Sequence, residues 1–316
     1  MKIVFMGTPD IAAGVLNTLI ESEHEVAAVI TQPDKPNSRG NGIVFSPVKK
    51  LATEAGITVY QPQKASAPEF VEELSKLNPD IIVVAAYGQL LRQNLLELPR
   101  YGCINVHASL LPKYRGSSPI QWAVINGEKE SGVTIMHMAA GLDTGDIIMQ
   151  RSIELAEDET AGSLYDRLTE LSGPLLLEAL EAIGNGTATR TPQDDSKSSY
   201  VSVLTKSFGH LDFNRPAVEL ERLIRGLIPW PGAFTYINGK MLKLWRVGIY
   251  SPDEAGAGEE LPEAGAGQLR VLNGALYIGT SDGILEVYEL QLEGKKRMYT
   301  SDFLRGANIK DGTFTD

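Results

Sequence analysis

The sequence predicts an α/β protein of two domains, a parallel sheet flanked by helices followed by a small β-barrel. Three observations carry that prediction. Through the first half of the chain, short apolar runs alternate with amphipathic stretches of helical period, the pattern of strands and crossover helices in a parallel sheet. Residues 184–200, GNGTATRTPQDDSKSSY, are polar, rich in turn formers and free of apolar periodicity, so they read as a linker. Beyond them, short apolar segments separated by Gly turns suit a closed or partly open barrel. A length of 316 residues accommodates both parts, since single domains commonly run about 100–200 residues.

The first strand is expected at residues 2–6, where the apolar run begins at once, and further strands at 25–31, 57–60, 81–85 and 103–107. Helices are expected at 9–22, 46–55 and 68–77, each opening on Pro or Ser as first-turn chemistry prefers. Two more apolar segments follow at 132–138 and 147–155. A long helix is then expected over 160–183, with Thr160 as its N-cap. After the linker come a helix at 216–227 and strands at 233–237, 241–249, 269–271, 275–278 and 284–290. The expected boundaries are therefore 1–190 for the first domain, 191–205 for the linker and 206–316 for the second domain.

Composition is ordinary for a globular protein, with 43% hydrophobic and 22% charged residues. No window approaches the roughly 18–20 unbroken apolar residues of a membrane helix, and the N-terminus lacks the pattern of a secretory signal, so a cytoplasmic protein with no membrane partner is expected. The single cysteine, Cys103, excludes an intramolecular disulfide and a cysteine-built metal site and reads as core packing. A net charge of −11 argues against a broadly basic nucleic-acid surface. Its distribution is uneven, however. Acidic residues concentrate at 252–264, which reads as a solvated loop, whereas Arg215, Arg222, Arg225, Lys240, Lys243 and Arg246 face only Glu219 and Glu221 across 215–246. That span is either a local basic face or a solvated helix and hairpin.

Among motifs, GTPDIAAG follows the first strand and opens a helix, but Thr8, Pro9 and Asp10 stand where a dinucleotide fingerprint needs its second glycine, and Pro9 removes a backbone donor. A helix-capping turn is expected there instead. Neither G-x-x-x-x-G-K-[ST] nor H-E-x-x-H occurs. The informative stretch is CINVHASLLPKYRG, residues 103–116. Asn105 and His107, one residue apart on a strand, share a face and can act together, and groups at the carboxyl ends of strands in open α/β sheets are where ligands bind. Downstream, GLDTGDI at 141–147 carries two carboxylates between glycines, and Asp143 is a candidate to orient His107 or exchange a proton with it. His137 and His210 lie outside these motifs and read as structural or surface residues.

The set N-x-H-x-S-L-L-P-x-Y-R-G, a GVTI strand, then D-x-G-D resembles the folate-dependent formyltransferase family. NVHASLLPKYRGSSPIQWAVINGEKESGVTIM is similar to its core signature almost without gaps. The resemblance implies a Rossmann-like catalytic domain in which Asn105, His107 and Asp143 form the catalytic trio, while Ser109, Leu110, Leu111 and Pro112 form the folate-contacting turn. MKIVFMGTPDIA, QPDKPNSRG at 32–40, LIRGLIPWPGAF at 223–234 and LEGKKRMYTSDFLRG at 292–306 resemble the branch that formylates methionine carried on initiator tRNA. For that branch the resemblance implies 10-formyltetrahydrofolate as donor, an acceptor-end contact through Arg39, and a C-terminal barrel of the oligonucleotide-binding type that touches the tRNA; no metal is expected, because no cluster of His, Cys and carboxylates has ligand spacing, and a monomer is expected. Two segments depart from the family pattern, KSFGHLDF at 206–213 and the acidic stretch at 252–264.

The implied reaction is acyl transfer, in which a neutral amine attacks the formyl carbon and a tetrahedral oxyanion forms. Asn105 and His107 would donate hydrogen bonds to that oxygen. Three other readings remain open on sequence: a sibling formyltransferase acting on a sugar-nucleotide or purine-precursor amine, an RNA-binding protein without catalysis, and a nicotinamide oxidoreductase. The first would not need the Arg39 loop, the second would not need the trio, and the third lacks its glycine spacing.

Overall fold

A first strand covered on both faces must be apolar throughout, and Ile3, Val4, Phe5 and Met6 of β1 (Lys2–Gly7) are fully buried. The structure, a computed structural model, describes residues 1–36, 43–251, 263–306, 309 and 311–315. With β1 run β2 (Glu25–Ile30), β3 (Val59–Tyr60), β4 (Ile81–Ala85), β5 (Cys103–His107), β6 (Glu130–His137) and β7 (Ile147–Glu154), in the sheet order β7-β6-β5-β4-β1-β2-β3. The first five are parallel, β6 is antiparallel to β5, and β7 is antiparallel to β6. From β1 the chain steps outward to β2 and β3, then returns to β4 on the other side. The carboxyl ends of β1 and β4 therefore flank the topological switch point, where such sheets bind ligands.

The connecting helices follow from their apolar spacing. In α1 (Asp10–Glu21), Ile11, Ala12, Val15, Leu16 and Leu19 form one buried face. Ser46 caps α2 (Pro47–Glu54) by accepting the Lys49 N–H at 3.1 Å, and α3 (Pro68–Ser75) opens on Pro68. A short α4 (Gln93–Leu96) precedes β5, and α5 (Pro119–Ile125) leads to β6. Thr160 caps α6 (Ala161–Gly184) reciprocally. The Ser163 N–H donates to Thr160 Oγ1 and the Thr160 N–H to Ser163 Oγ, both at 3.0 Å. The turn before α1 differs in detail from a side-chain cap: Pro9 offers none, and the free Ile11 N–H donates to the Tyr165 hydroxyl. Gly7 is required, because a Cβ there would lie 2.6 Å from Ala12 Cβ and 2.9 Å from the Ala85 carbonyl.

The chain divides into two compact units, one of Met1–Pro119, Glu130–Glu154 and Tyr165–Val201, the other of Ile120–Lys129, Leu155–Leu164 and Ser202–Asp316. This departs from the expected linker at 191–205. Residues 191–201 are part of the first unit, where Tyr200–Val201 pairs in parallel with Arg115–Gly116. The segment looked like a linker because its partners are distant backbone groups and the Arg115 guanidinium, which polar residues can satisfy and apolar periodicity does not report.

The second unit contains β8 (Ala233–Ile237), β9 (Lys240–Ile249), β10 (Leu269–Leu272), β11 (Ala275–Gly279), β12 (Ile284–Leu292) and β13 (Met298–Tyr299), an antiparallel sheet in the order β8-β9-β12-β11-β10 with β13 on β12. Its two ends do not pair with each other among the described residues, so it is the partly open form of the expected barrel. Alternate residues Leu242, Leu244, Leu276, Ile278, Leu285 and Val287 point to a core completed by Leu220, Leu223 and Ile224 of α7 (Ala217–Gly226) and Phe303 of α8 (Thr300–Gly306). Three of the six cations in the basic span at 215–246 have acidic partners among the described residues. Arg215 pairs with Glu219, Arg225 with Glu221 and Arg246 with Glu289. The departing segment at 206–213 contributes Leu211 and Phe213 to the core, while His210 stacks on Phe234. No helix among the described residues is long and apolar enough to cross a membrane.

Candidate active site

Strand alternation sends Cys103, Asn105 and His107 to one face of β5. Cys103 stays in the core, with its thiol donating to the Leu95 carbonyl at 3.5 Å and pushed up by burial to about 12, a packing residue rather than a nucleophile. Asn105 lies opposite Val84 on β4 and Met136 on β6, and His107 lies opposite Thr134. The two are only 9% and 6% exposed. The Asn105 carboxamide makes no side-chain hydrogen bond among the described residues, but it is not a sealed orphan: the fully buried side-chain polar atom without a partner among them is the Tyr87 hydroxyl, so the carboxamide atoms stay accessible from the site.

His107 is held by its Nε2, 2.9 Å from the Tyr114 carbonyl oxygen. A carbonyl only accepts, so Nε2 carries the proton and Nδ1 is the nitrogen left for chemistry. Nδ1 faces Asp143 Oδ2 at 3.8 Å, the distance of an ion pair rather than of a hydrogen bond. The near partner of that carboxylate is instead the Gly116 N–H, at 2.8 Å. The sequence expectation that Asp143 orients His107 is thus divided between two groups: Tyr114 sets the ring, and Asp143 presents a negative charge to its free nitrogen. The second carboxylate of the motif, Asp146, turns away to pair with Arg190 at 3.2 Å.

The turn after β5 is anchored from the sheet beneath it. Ser109 Oγ donates to the Lys113 carbonyl at 2.8 Å. Thr134, wholly buried on β6, donates to the Ser109 carbonyl at 2.6 Å, accepts the Leu111 N–H at 3.1 Å, and accepts from Gln150 Nε2 at 2.8 Å. Gln150 also donates to the Leu111 carbonyl at 2.8 Å. Leu110 lies over Gly132, where a Cβ would come within 2.6 Å of its Cδ2. Leu111 is buried and Pro112 half-buried. Neither Thr134 nor Gln150 was singled out from sequence, although a threonine within the apolar GVTI strand was the available signal. Thr134→Val keeps shape but leaves these groups unpaired, and is expected to cost about 1–3 kcal/mol. The check is a lower urea midpoint with unchanged slope; an unchanged midpoint would mean that the turn is held without it.

Residues 189–201 bind both loops of the site. Thr191 exchanges backbone hydrogen bonds with Ile147, at 2.8 and 2.9 Å. Gln193 Nε2 donates to the carbonyls of Asp143 and Gly145, each at 2.8 Å. Ser199 accepts the Tyr114 N–H on its hydroxyl and the Arg115 N–H on its carbonyl, at 2.9 and 2.8 Å. Arg115, 2% exposed, donates through Nε and Nη2 to Gln193 Oε1 at 3.0 and 2.8 Å, through Nη2 to Asp195 at 2.8 Å and through Nη1 to the Tyr200 hydroxyl at 3.0 Å. Burial would lower its pKa, but the Tyr200 and Asp195 hydrogen bonds prevail and raise it, so the guanidinium is charged.

The remaining expected site residue, Arg39, lies outside the described residues. The chain on either side of it is described: Lys35–Pro36 pairs antiparallel with Ile43–Val44. Behind that pair, Lys49 contacts Asp34 and, at 2.8 Å, Gln61 Oε1.

A switch-point sheet carrying the N-x-H and D-x-G-D elements at one end defines a formyltransferase-class fold. The chain belongs to the formyl transferase family, which it matches over residues 1–180, with the C-terminal domain of that family matching over residues 203–308. A methionyl-tRNA formyltransferase from Lachnospira eligens is 55% identical over 313 residues, covering 99% of this chain and 98% of that protein. Among solved structures, the N-formyltransferase from Helicobacter canadensis in complex with folinic acid and dTDP-3-aminofucose aligns with a TM-score of 0.67 at 21% identity, covering 94% of this chain and 100% of that one. HypX from Aquifex aeolicus in complex with tetrahydrofolic acid aligns with a TM-score of 0.63 at 20% identity, and this chain spans 50% of its length. At such identities the two structures show a shared fold.

Proposed function

We infer that this protein transfers a formyl group from 10-formyltetrahydrofolate to the α-amine of methionine carried on initiator tRNA, for translation initiation. The observation that supports this most is the pairing of His107 with Asp143 at the end of β5, with Asn105 on the same face of that strand, in a chain similar over its full length to methionyl-tRNA formyltransferases. The protein is proposed to act in the cytoplasm as a monomer, with the charged tRNA and the folate as its partners.

In acyl transfer the amine nitrogen bonds to the formyl carbon, the carbonyl oxygen takes up negative charge, and the bond to the folate nitrogen then breaks as that nitrogen gains a proton. Each residue has a part suited to its surroundings. The unpartnered Asn105 amide is free to donate to the oxyanion, a role of the kind that lowers such barriers by several kcal/mol. Nδ1 of His107 is the group that moves the proton, and the Asp143 carboxylate faces it at 3.8 Å. Ser109, Leu110, Leu111 and Pro112 are proposed as the wall against which the folate sits, on a turn stiffened by Thr134 and Gln150. Formyl transfer to Met-tRNA, uncharged tRNA and a sugar nucleotide tests the assignment. Activity on the first alone is expected, and transfer to the sugar nucleotide instead would favour the sibling reading.

Arg39 is proposed to meet the acceptor end of the tRNA, as a guanidinium suits phosphate or a terminal base. Arg39→Ala should lower kcat/KM for Met-tRNA by on the order of 2 kcal/mol, about thirtyfold, while folate binding to the full-length protein is unchanged. Equal activity of variant and parent at low and moderate salt would remove Arg39 from the site.

A further inference from the structure

We propose that Gln193 is the positioning residue for Asp143, aiming its carboxylate at His107 through two hydrogen bonds to the backbone of the D-x-G-D turn; this rests on the catalytic reading above. Asp143 has little else to fix it. It is half-buried, its backbone lies in the left-handed region at a φ of 52°, and among the described residues its carboxylate has one close donor, the Gly116 N–H. The turn cannot be stiffened by a side chain at Gly145, since a Cβ there would fall 1.7 Å from the His137 carbonyl oxygen. Gln193 supplies the missing constraint from outside. Its Nε2 holds the carbonyls of residues 143 and 145 together, each at 2.8 Å.

The amide can do this because its orientation is settled. Arg115 has donors only, and two of them point at Gln193 Oε1, so the NH2 group must face the two carbonyls. Arg115 is in turn part of the strand pair Arg115–Gly116, whose glycine N–H holds the Asp143 carboxylate. Side chain and backbone of Asp143 are therefore both referred to the same two residues, one contact direct and the other through Gln193. A shift of this turn by an ångström would carry the carboxylate away from Nδ1, and misplacements of that size are costly in catalysis.

Gln193→Glu in the full-length protein separates this role from simple packing. The carboxylate still accepts from Arg115, but it cannot donate to the turn and presents negative charge to two carbonyl oxygens. A fall in kcat of ~10- to 100-fold with KM for both substrates nearly unchanged is expected. Because a smaller folded fraction would also lower kcat, the same substitution is made in an Asp143→Asn background: an effect exerted through Asp143 shrinks there to about twofold or less, whereas loss of folded protein would persist undiminished. If Gln193→Glu does not fold, Gln193→Asn, which retains the amide one methylene short, takes its place and must show the same pattern. A kcat within about twofold of the parent in either folded variant, or an undiminished effect in the Asp143→Asn background, overturns the proposal. Full activity of Asp143→Asn itself would instead overturn the catalytic reading on which it stands.

Discussion

Replacing His107 or Asp143 by alanine is expected to lower formyl transfer to Met-tRNA by about 10²- to 10⁴-fold while the protein remains folded. Both side chains face a site rather than the interlocked core. His107→Ala deletes the hydrogen bond to the Tyr114 carbonyl, a loss of about 1–3 kcal/mol, survivable for a domain whose core includes a seven-stranded sheet. Asp143→Ala frees the Gly116 N–H, which lies at a half-buried position of the two-residue strand Arg115–Gly116. Since Nδ1 of His107 and the carboxylate act as one unit, the double variant should be scarcely worse than either single one, as for other catalytic groups that work together. The measurement is kcat/KM on protein shown to be folded by its urea transition. More than a few per cent of parental activity in either variant would sink the assignment.

The elements that carry the site were legible in sequence to different degrees, for physical reasons. β1, β4 and β5 announce themselves because a strand buried on both faces has no choice but a continuous apolar run, and Asn105 and His107 stand out from such a run as polar exceptions. Thr160 could be placed because an N-cap is a local device, decided within three residues. The segment 189–201 could not. Its work is done by Gln193 and Ser199 on carbonyls and amides at Asp143, Gly145, Tyr114 and Arg115, some 50 to 85 positions away, and such contacts leave no period in the chain. Polarity without period is the signature of a linker and equally of a strap that satisfies buried backbone. The tautomer of His107 was also beyond sequence, because it depends on where the Tyr114 carbonyl points, at a residue whose φ of 61° puts it in the left-handed region.

Asn105→Ala is expected to separate stability from activity more cleanly than any other change in the site. Truncating a buried polar side chain usually strands its partner, and the cost of that orphan dominates the loss of stability. Here no partner among the described residues is stranded, so the stability of the protein should stay the same or rise slightly, as is common where a site keeps polar groups ready for a ligand. Activity should move the other way. Loss of a single donor to an acyl-transfer oxyanion typically costs 10²- to 10³-fold in kcat, about 3–4 kcal/mol, because the bond is made only when charge develops on the oxygen. For the same reason KM for both substrates should change little, whereas a ground-state contact with the folate would appear in KM with kcat preserved. Steady-state kinetics beside a urea titration of the same preparation read both quantities. A fall in kcat of less than about tenfold, or a large loss of stability, would mean that the Asn105 amide serves the fold rather than the oxyanion, and the polar wall of the site would have to be assigned to His107 alone.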